Sequence, residues 1–410
     1  MEPKKILIVG AGFAGISCAL NLSNRHLEGV KITLVDPYPH FEYHAMLYRV
    51  LTGRSALEVC IPLREIFRQR RNVEVVEDMI MDIDFKKSRA LGKSGFSYHY
   101  DNLVLGLGSE PSYFDIEGLK EYSFSFDSIE SVIRLKNHIH KLFSDFRHGD
   151  SKNNMSGLHI VIVGGGASGL EIAGSLALYT KQIAKKHGIE EAFLTIDLIS
   201  SSVRLVPQFP DEISDLVRYR LGSLGVNVYL GRRVMKEEIE EVYIKDMILR
   251  AKTVIWCAGT EGNHLYRKFG LPVNEKGRVK VNQYLQTAEK VYIIGDGADT
   301  KLSGFSQTAI LQGNHAAGNI VRSLHGEALS EYIPEIEDYF LPVGNDWAAT
   351  EFLGKKIHGK TGWYLKRIHD LRFFMSILPL SKAIAAWKED SVLWETCKVC
   401  TFETASRIFL

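Results

Sequence analysis

Short unbroken apolar runs, each followed by a small-residue turn and often by a stretch with helical spacing, recur along this chain. Ile6 to Val9 is the first such run, Ile16 to Leu22 the helix-like stretch behind its turn, and Lys31 to Val35 the next run, ending at Asp36. Apolar runs without polar alternation predict strands buried on both faces, as in a parallel sheet, so this segment reads as a strand–helix–strand unit. Val73 to Asp84 and Tyr98 to Leu107 continue the strand signal. The polar stretch Ser151 to Ser156 reads as a linker, and the pattern restarts at His159, with a helix over Leu170 to Leu178 and strands at Leu194 to Ile199, Val226 to Leu230 and Lys252 to Trp256. A later run, Val291 to Ile294, leads into Gly295-Asp296-Gly297. An Asp at the carboxyl end of a parallel strand sits where such sheets bind ligands, so this last strand is assigned back to the first unit.

Two of the turns share one spacing: Gly10, Gly12 and Gly15 in ILIVGAGFAG, and Gly164, Gly166 and Gly169 in IVIVGGGASG. The first glycine makes a tight turn, the second lets backbone approach a pyrophosphate, and the third lets helix and strand close, with the helix N-terminus facing the anion. One such motif is a weak signal; two, each after a predicted strand and before a predicted helix, imply two bound dinucleotides. Asp36 lies about 20 residues beyond the first set, where a carboxylate accepts both hydroxyls of an adenosine ribose and repels a 2′-phosphate, so the first cofactor is FAD or NAD and not NADP. Leu103 to Gly108 ends in a turn whose Gly108 lets backbone approach the same ligand. The expected fold is α/β, with two Rossmann-like three-layer nucleotide-binding domains. The first (residues 1–150 and 281–330) is split by the second (151–280), and residues 331–410 form a small α-rich C-terminal module.

Composition narrows the class. With 410 residues, 45% hydrophobic and 24% charged, the chain reads as an ordinary globular protein of several domains. Fifty Lys+Arg against 49 Asp+Glu give no basic field for nucleic acid, and any membrane attraction must be local. The N-terminus lacks a cleavage site of the secretory kind, and no apolar run approaches the roughly 18 residues of a membrane span. The cysteines (Cys18, Cys60, Cys257, Cys397 and Cys400) are few and odd in number, which suits a reducing cytoplasm; no Cys or His cluster has zinc-like spacing, and no metal is expected.

The order of motifs over about residues 4 to 390 resembles the two-dinucleotide flavoproteins and, within them, the type II NADH dehydrogenases, single-chain NADH:quinone oxidoreductases of membranes. The segments that carry the resemblance are LVDPYPHFEYHAMLYRVLTG (34–53), YDNLVLGLGSEPSYFDIEGL (100–119), GGGASGLEIAG (164–174), RLVPQFPDEISDLVRYRLGSLGVNV (204–228) and VYIIGDGAD (291–299). The resemblance implies FAD in the first domain, with Asp296 on the flavin's ribityl chain, and NAD(P)H in the second. It also implies hydride transfer to the flavin without proton pumping, and electron transfer to a quinone. Glu171 then lies near the nicotinamide and flavin as a proton relay, and Gln307 in SQTAILQG (306–313) faces the flavin and the quinone; both are the candidate catalytic residues.

Departures from the family pattern bear on specificity. Relatives that use NADH end the second strand of the inserted domain on an acidic residue, whereas LTIDLIS aligned with KITLVD puts Ser200 there; this opens the site to NADPH, and Asp197 is a partner only in another register. In the quinone motif Ser306 replaces Ala, and Leu311 stands where a second Gln is expected, with Gln312 one residue late. Cys397 and Cys400 form a CxxC, but not where a disulfide reductase of this superfamily carries its pair; action in trans in a homodimer stays open. In the C-terminal module Leu365, Ile368, Leu371, Met375 and Leu378 recur at helical spacing. Trp363, Tyr364, Phe373 and Phe374 add aromatics, and Lys366, Arg367 and Arg372 add charge, before Pro379 ends the helix. From the pattern this stripe fits packing against the first domain or a second subunit as well as docking on an anionic membrane surface; the resemblance implies the latter, and with it a peripheral place on the cytoplasmic inner face of a membrane.

Overall fold

The computed structural model describes residues 2–54, 56, 59–149, 158–335 and 339–388; the polar stretch 151–156 and the CxxC at Cys397 and Cys400 lie outside them. The apolar runs form two parallel sheets. The first has the order Gln286–Ala288, Val291–Ile293, Asn102–Leu105, Lys4–Val9, Val30–Asp36, Val73–Glu77, so a strand from beyond residue 290 pairs with strands from the first hundred. Ile293, Leu105, Val9, Val35 and Val76 stand in one row of the ladder. Their carboxyl ends therefore converge on one edge, which brings Gly10, Asp36, Gly106 and Gly295 together. The second sheet has the order Phe124–Ser125, Thr253–Trp256, His159–Val163, Thr195–Ile199, Val226–Tyr229. Its corresponding row is Ser125, Trp256, Val163, Ile199 and Tyr229. In both sheets the strands flanking the central one come from connections in opposite directions, which leaves a crevice at the carboxyl edge where dinucleotides sit.

Two apolar stretches of the sequence are divided by carboxylates. The run from Val73 to Asp84 breaks at Asp78, which accepts hydrogen bonds from the Met79 and Ser94 amides and the Ser94 and Tyr98 hydroxyls. Ile80–Asp84 consequently leaves the parallel sheet for a meander with Arg89–Gly92 and Ser97–His99. The second stretch breaks at Asp101, whose carboxylate accepts from the Lys5 amide at 2.8 Å and so aligns Asn102–Leu105 beside the first strand.

Helix Phe13–Asn24 follows the first glycine turn and packs directly on helix Ser306–Leu324; a Cβ at Gly313 would lie 2.2 Å from the Ala14 carbonyl oxygen. The C-terminal module holds the expected helices, Lys360–Ile377 and Leu380–Trp387, with Pro379 between them. It also holds an antiparallel sheet of Tyr339–Pro342, Ala348–Phe352 and Lys355–Gly359, whose short strands, interrupted by proline and glycine, gave no strand signal. This module wedges against the inserted domain: a Cβ at Gly174, in helix Ala167–His187, would meet the Gly344 amide nitrogen at 2.6 Å. Its other side, through Phe374, Ile377 and Leu378, joins the main core with the first domain.

Candidate functional site

The two glycine turns are the same structure built twice. Gly10 has φ +102° and Gly164 φ +132°, conformations that L side chains rarely adopt, and a Cβ at Gly10 would lie 2.3 Å from the Gly106 carbonyl oxygen. Gly15 and Gly169 let the helix close on its turn: a Cβ there would lie 1.8 and 1.9 Å from the carbonyl oxygens of Gly10 and Gly164. Gly12 and Gly166 differ from these, because nothing in the protein lies within 4 Å of a Cβ at either position. The middle glycines thus border open space in front of a helix N-terminus, the volume a pyrophosphate needs. These residues fit a dinucleotide at each turn.

At the first turn Asp36 accepts from the Ala11 amide at 2.6 Å and from the Tyr38 amide at 2.9 Å. Burial pushes its carboxyl up to about 6, and the two amides hold it down against that. On the neighbouring edge Asp296 accepts from the Gly304 amide at 2.8 Å and from the Ser109 hydroxyl at 3.3 Å, next to Gly108 at φ +70°. Asp36, Gly108 and Asp296 therefore lie along one edge, the track that an adenine-to-flavin molecule would follow. Gln312 is fully buried and clamps this edge: its side-chain oxygen accepts from the Gly295 amide at 2.7 Å while its nitrogen donates to the Thr300 hydroxyl at 3.1 Å. The glutamine one residue past the expected position is a brace for the Gly295–Gly297 turn. Gln307 and Leu311 are on the half-exposed side of the same helix.

Ser200 occupies the place in the second turn that Asp36 holds in the first. The Gly164 amide bonds Ile199 O as the Gly10 amide bonds Val35 O, and the Ser200 hydroxyl accepts from the Ser202 amide at 3.2 Å as Asp36 does from Tyr38. Asp197 is excluded as a ribose partner. It is buried in mid-strand, between His159 at 2.9 Å and the Asn227 amide at 2.8 Å.

The helix starts meet at a buried polar cluster assembled from three parts of the chain. Phe13, at the first turn, packs on Phe41, Tyr43 and Phe373, and Phe373 stacks on Tyr43 with centroids 4.9 Å apart and planes 6° off parallel. The Tyr43 hydroxyl donates to Asp370 at 3.0 Å, Lys366 pairs with Asp370 at 2.7 Å, and the Lys366 ammonium lies 5.8 Å from the centre of the Tyr48 ring. Glu171, in the second turn of helix Ala167–His187, completes the cluster. Burial pushes its carboxyl up to about 8, with the Lys366 charge opposing and the Asp370 charge adding. That shift favours the protonated form of Glu171 at neutral pH.

This placement corrects the expectation for the C-terminal helix. Lys366 is 5% exposed and Asp370 2%, so Lys366 is no surface charge, and Phe374 and Leu378 are core residues. Phe373 belongs to the aromatic cluster. What remains outward is a narrower stripe: Tyr364, Ile368 and Met375, continued by Leu380. Sequence reasoning singled out Glu171, passed over Tyr43, Tyr48 and Asp370, and read Lys366 as a surface charge; the readable sign was a Lys and an Asp four apart on one helix.

The sequence profile of a family described as "Pyridine nucleotide-disulphide oxidoreductase" matches residues 4–316. The chain belongs to this family. It is also similar to the type II NADH:quinone oxidoreductase of Staphylococcus saprophyticus, with 25% identity over 90% of this chain and 95% of that protein. In fold it is similar to the structure of NDH2 from Plasmodium falciparum in complex with NADH, with a TM-score of 0.84 and 16% identity over 96% and 98% of the two chains. The sulfide:quinone oxidoreductase of Aquifex aeolicus gives a TM-score of 0.76 at 19% identity over 99% and 95%. The family name invites a search for a redox disulfide, and the described residues of this pyridine nucleotide oxidoreductase hold none. Cys18 and Cys257 are free, and burial pushes their thiols up to about 12, far from the thiolate that disulfide exchange needs.

Proposed function

We propose that this chain is an FAD-dependent NAD(P)H:quinone oxidoreductase that does not pump protons. FAD is held by residues 1–150 with 281–330, NAD(P)H by residues 151–280, and residues 331–410 dock on the inner face of a membrane from the cytoplasmic side. The observation that carries this reading is the cluster of Glu171, Lys366, Asp370 and Tyr43, which sets the second glycine-turn helix against the C-terminal module and holds a carboxyl that burial raises to about 8. Gly10, Gly12, Gly15, Asp36, Gly108 and Asp296 hold the flavin nucleotide, while Gly164, Gly166, Gly169 and Ser200 hold the nicotinamide nucleotide. Bound FAD supplies the chemistry: it accepts hydride from the nicotinamide and passes two electrons on. The protein's part is position and proton supply. A quinone gains two protons for its two electrons, and Glu171 delivers protons to it, while Gln307 orients the acceptor.

Membrane docking is supported by the outward stripe of Tyr364, Ile368, Met375 and Leu380, flanked by exposed Arg372 and by Leu353, 78% exposed at a hairpin tip beside Lys355 and Lys356. No helix among the described residues is long and apolar enough to cross a membrane. Steady-state oxidation of NADH by a short-chain quinone tests the reading against a soluble disulfide or ferredoxin reductase and against a non-catalytic sensor. Turnover without an added disulfide or protein carrier is expected; its absence, with turnover restored by a disulfide substrate or an oxidised ferredoxin, would transfer the protein to the other reductases.

A further inference from the structure

The adenosine ends of the two nucleotide sites share their backbone and differ in charge. At the first, the Asp36 carbonyl accepts from the Asp78 amide and Asp36 pairs across the ladder with Glu77, so acidic residues are the backbone neighbours of this strand end. At the second, the Ser200 carbonyl accepts from the Arg232 amide at 2.9 Å, and the Ser202 carbonyl from the Gly231 amide at 2.9 Å. An arginine thus stands where the first site has an aspartate. Ser200 itself leaves room: its hydroxyl folds back under the turn, 2.6 Å from where a Cβ on Gly165 would be, and its place in the site carries no negative charge.

Resting on the reading that this second turn binds a nicotinamide nucleotide, we propose that it takes NADPH at least as well as NADH, with the 2′-phosphate seated over Ser200–Ser202 and held by Arg232. A ribose 2′-phosphate needs hydroxyl or amide donors close by and one guanidinium within reach; a carboxylate at the strand end would repel it. The exposed Ser201 and the half-buried Ser202 supply the small hydroxyl donors. Arg232 meets Asp246 and Lys245 O through Nη1 alone, and its Nε and Nη2 have no hydrogen-bond partner among the described residues, so the fork has a side left for phosphate. The nearby Arg204 is committed otherwise, stapling its own loop through Pro207 O, Phe209 O and Asp211. The strand geometry sets the distance: the Arg232 backbone is one hydrogen bond from Ser200, well within the reach of its side chain.

The FAD-loaded full chain is assayed anaerobically for flavin reduction by NADPH and by NADH, and titrated calorimetrically with 2′,5′-ADP as a probe of the phosphate seat. The expected results are comparable second-order rates for both reductants and measurable 2′,5′-ADP binding that weakens with salt. Arg232→Ala should lower the NADPH-to-NADH rate ratio about tenfold, the value of one charge-assisted hydrogen bond, and Ser200→Asp should lower it further and raise the NADH rate. Arg232→Lys should restore part of the ratio. Fast reduction by NADH with NADPH more than about a hundredfold slower, or a ratio unmoved by Arg232→Ala, overturns this inference alone. Failure of both reductants together with absent 2′,5′-ADP binding overturns the nucleotide reading beneath it as well.

Discussion

The two glycine turns of this chain agree in backbone and part company at the residue that ends the second strand. Gly10 and Gly164, Gly15 and Gly169, and the open spaces at Gly12 and Gly166 correspond one to one. Yet one strand ends in Asp36, with Asp78 as its backbone neighbour, and the other in Ser200, with Arg232 in that place. The lesson is a division of labour. Glycines and the helix N-terminus make a phosphate cradle that any dinucleotide fits, and one side chain at the strand end decides which ribose is accepted.

The largest expected effect separates the middle glycine from the outer one. Gly12→Val meets no protein atom and should leave a folded but colourless chain, because its side chain takes the space of the pyrophosphate; retained yellow FAD after this change would break the proposed match between the turns and their ligands. Gly15→Ala, whose methyl would strike the Gly10 carbonyl, should instead lower thermal stability by about 1–3 kcal/mol, read by calorimetry.

Next in size is the residue for which the first turn has no counterpart. Glu171→Gln should slow reoxidation of the reduced flavin by quinone about a hundredfold and leave flavin reduction less affected, as measured by stopped-flow absorbance. In the native protein the quinone step should decline as pH rises through about 8, because Glu171 is then ionised and has no proton to give. Equal slowing of both half-reactions, or a flat pH profile, would remove Glu171 from proton delivery.

Acid should act on one turn and spare the other. Asp36 is ionised above about 6, so FAD should be released progressively as pH falls through that value, whereas the Ser200 site has no such carboxyl and binding of NAD+, whose pyrophosphate does not titrate in this range, should not weaken over it. The smallest effect concerns the outward stripe. Ile368→Glu should reduce co-sedimentation with anionic liposomes roughly tenfold, consistent with removal of one inserted aliphatic side chain, without loss of FAD. An unchanged partition would make the stripe a contact of another kind.

How much of this was legible in the sequence follows from how local each feature is. The glycine turns, Asp36 and the return of Val291–Ile293 to the first sheet could be read because their signals lie within a few residues of the strands that place them. The register at Ser200 could be read because strand ends align. The break at Asp78 was hidden, since a carboxylate inside an apolar stretch shows its meaning only once Ser94 and Tyr98 are brought to it. The cluster around Glu171 was hidden for the same reason on a larger scale. Lys366 looks like a charge on an amphipathic helix until Asp370, Tyr43 and the core contacts of Phe374 show that this face is turned inward.

The central claim, electrons passing from a nicotinamide nucleotide through FAD to a quinone, is tested most directly by an anaerobic two-step titration of the purified full chain. Addition of NADH or NADPH is expected to bleach the flavin absorbance stoichiometrically, and a subsequent short-chain quinone to restore it within the mixing time. Protein without flavin after FAD reconstitution, or bleached flavin that quinone leaves reduced while a disulfide or ferredoxin reoxidises it, would contradict the account.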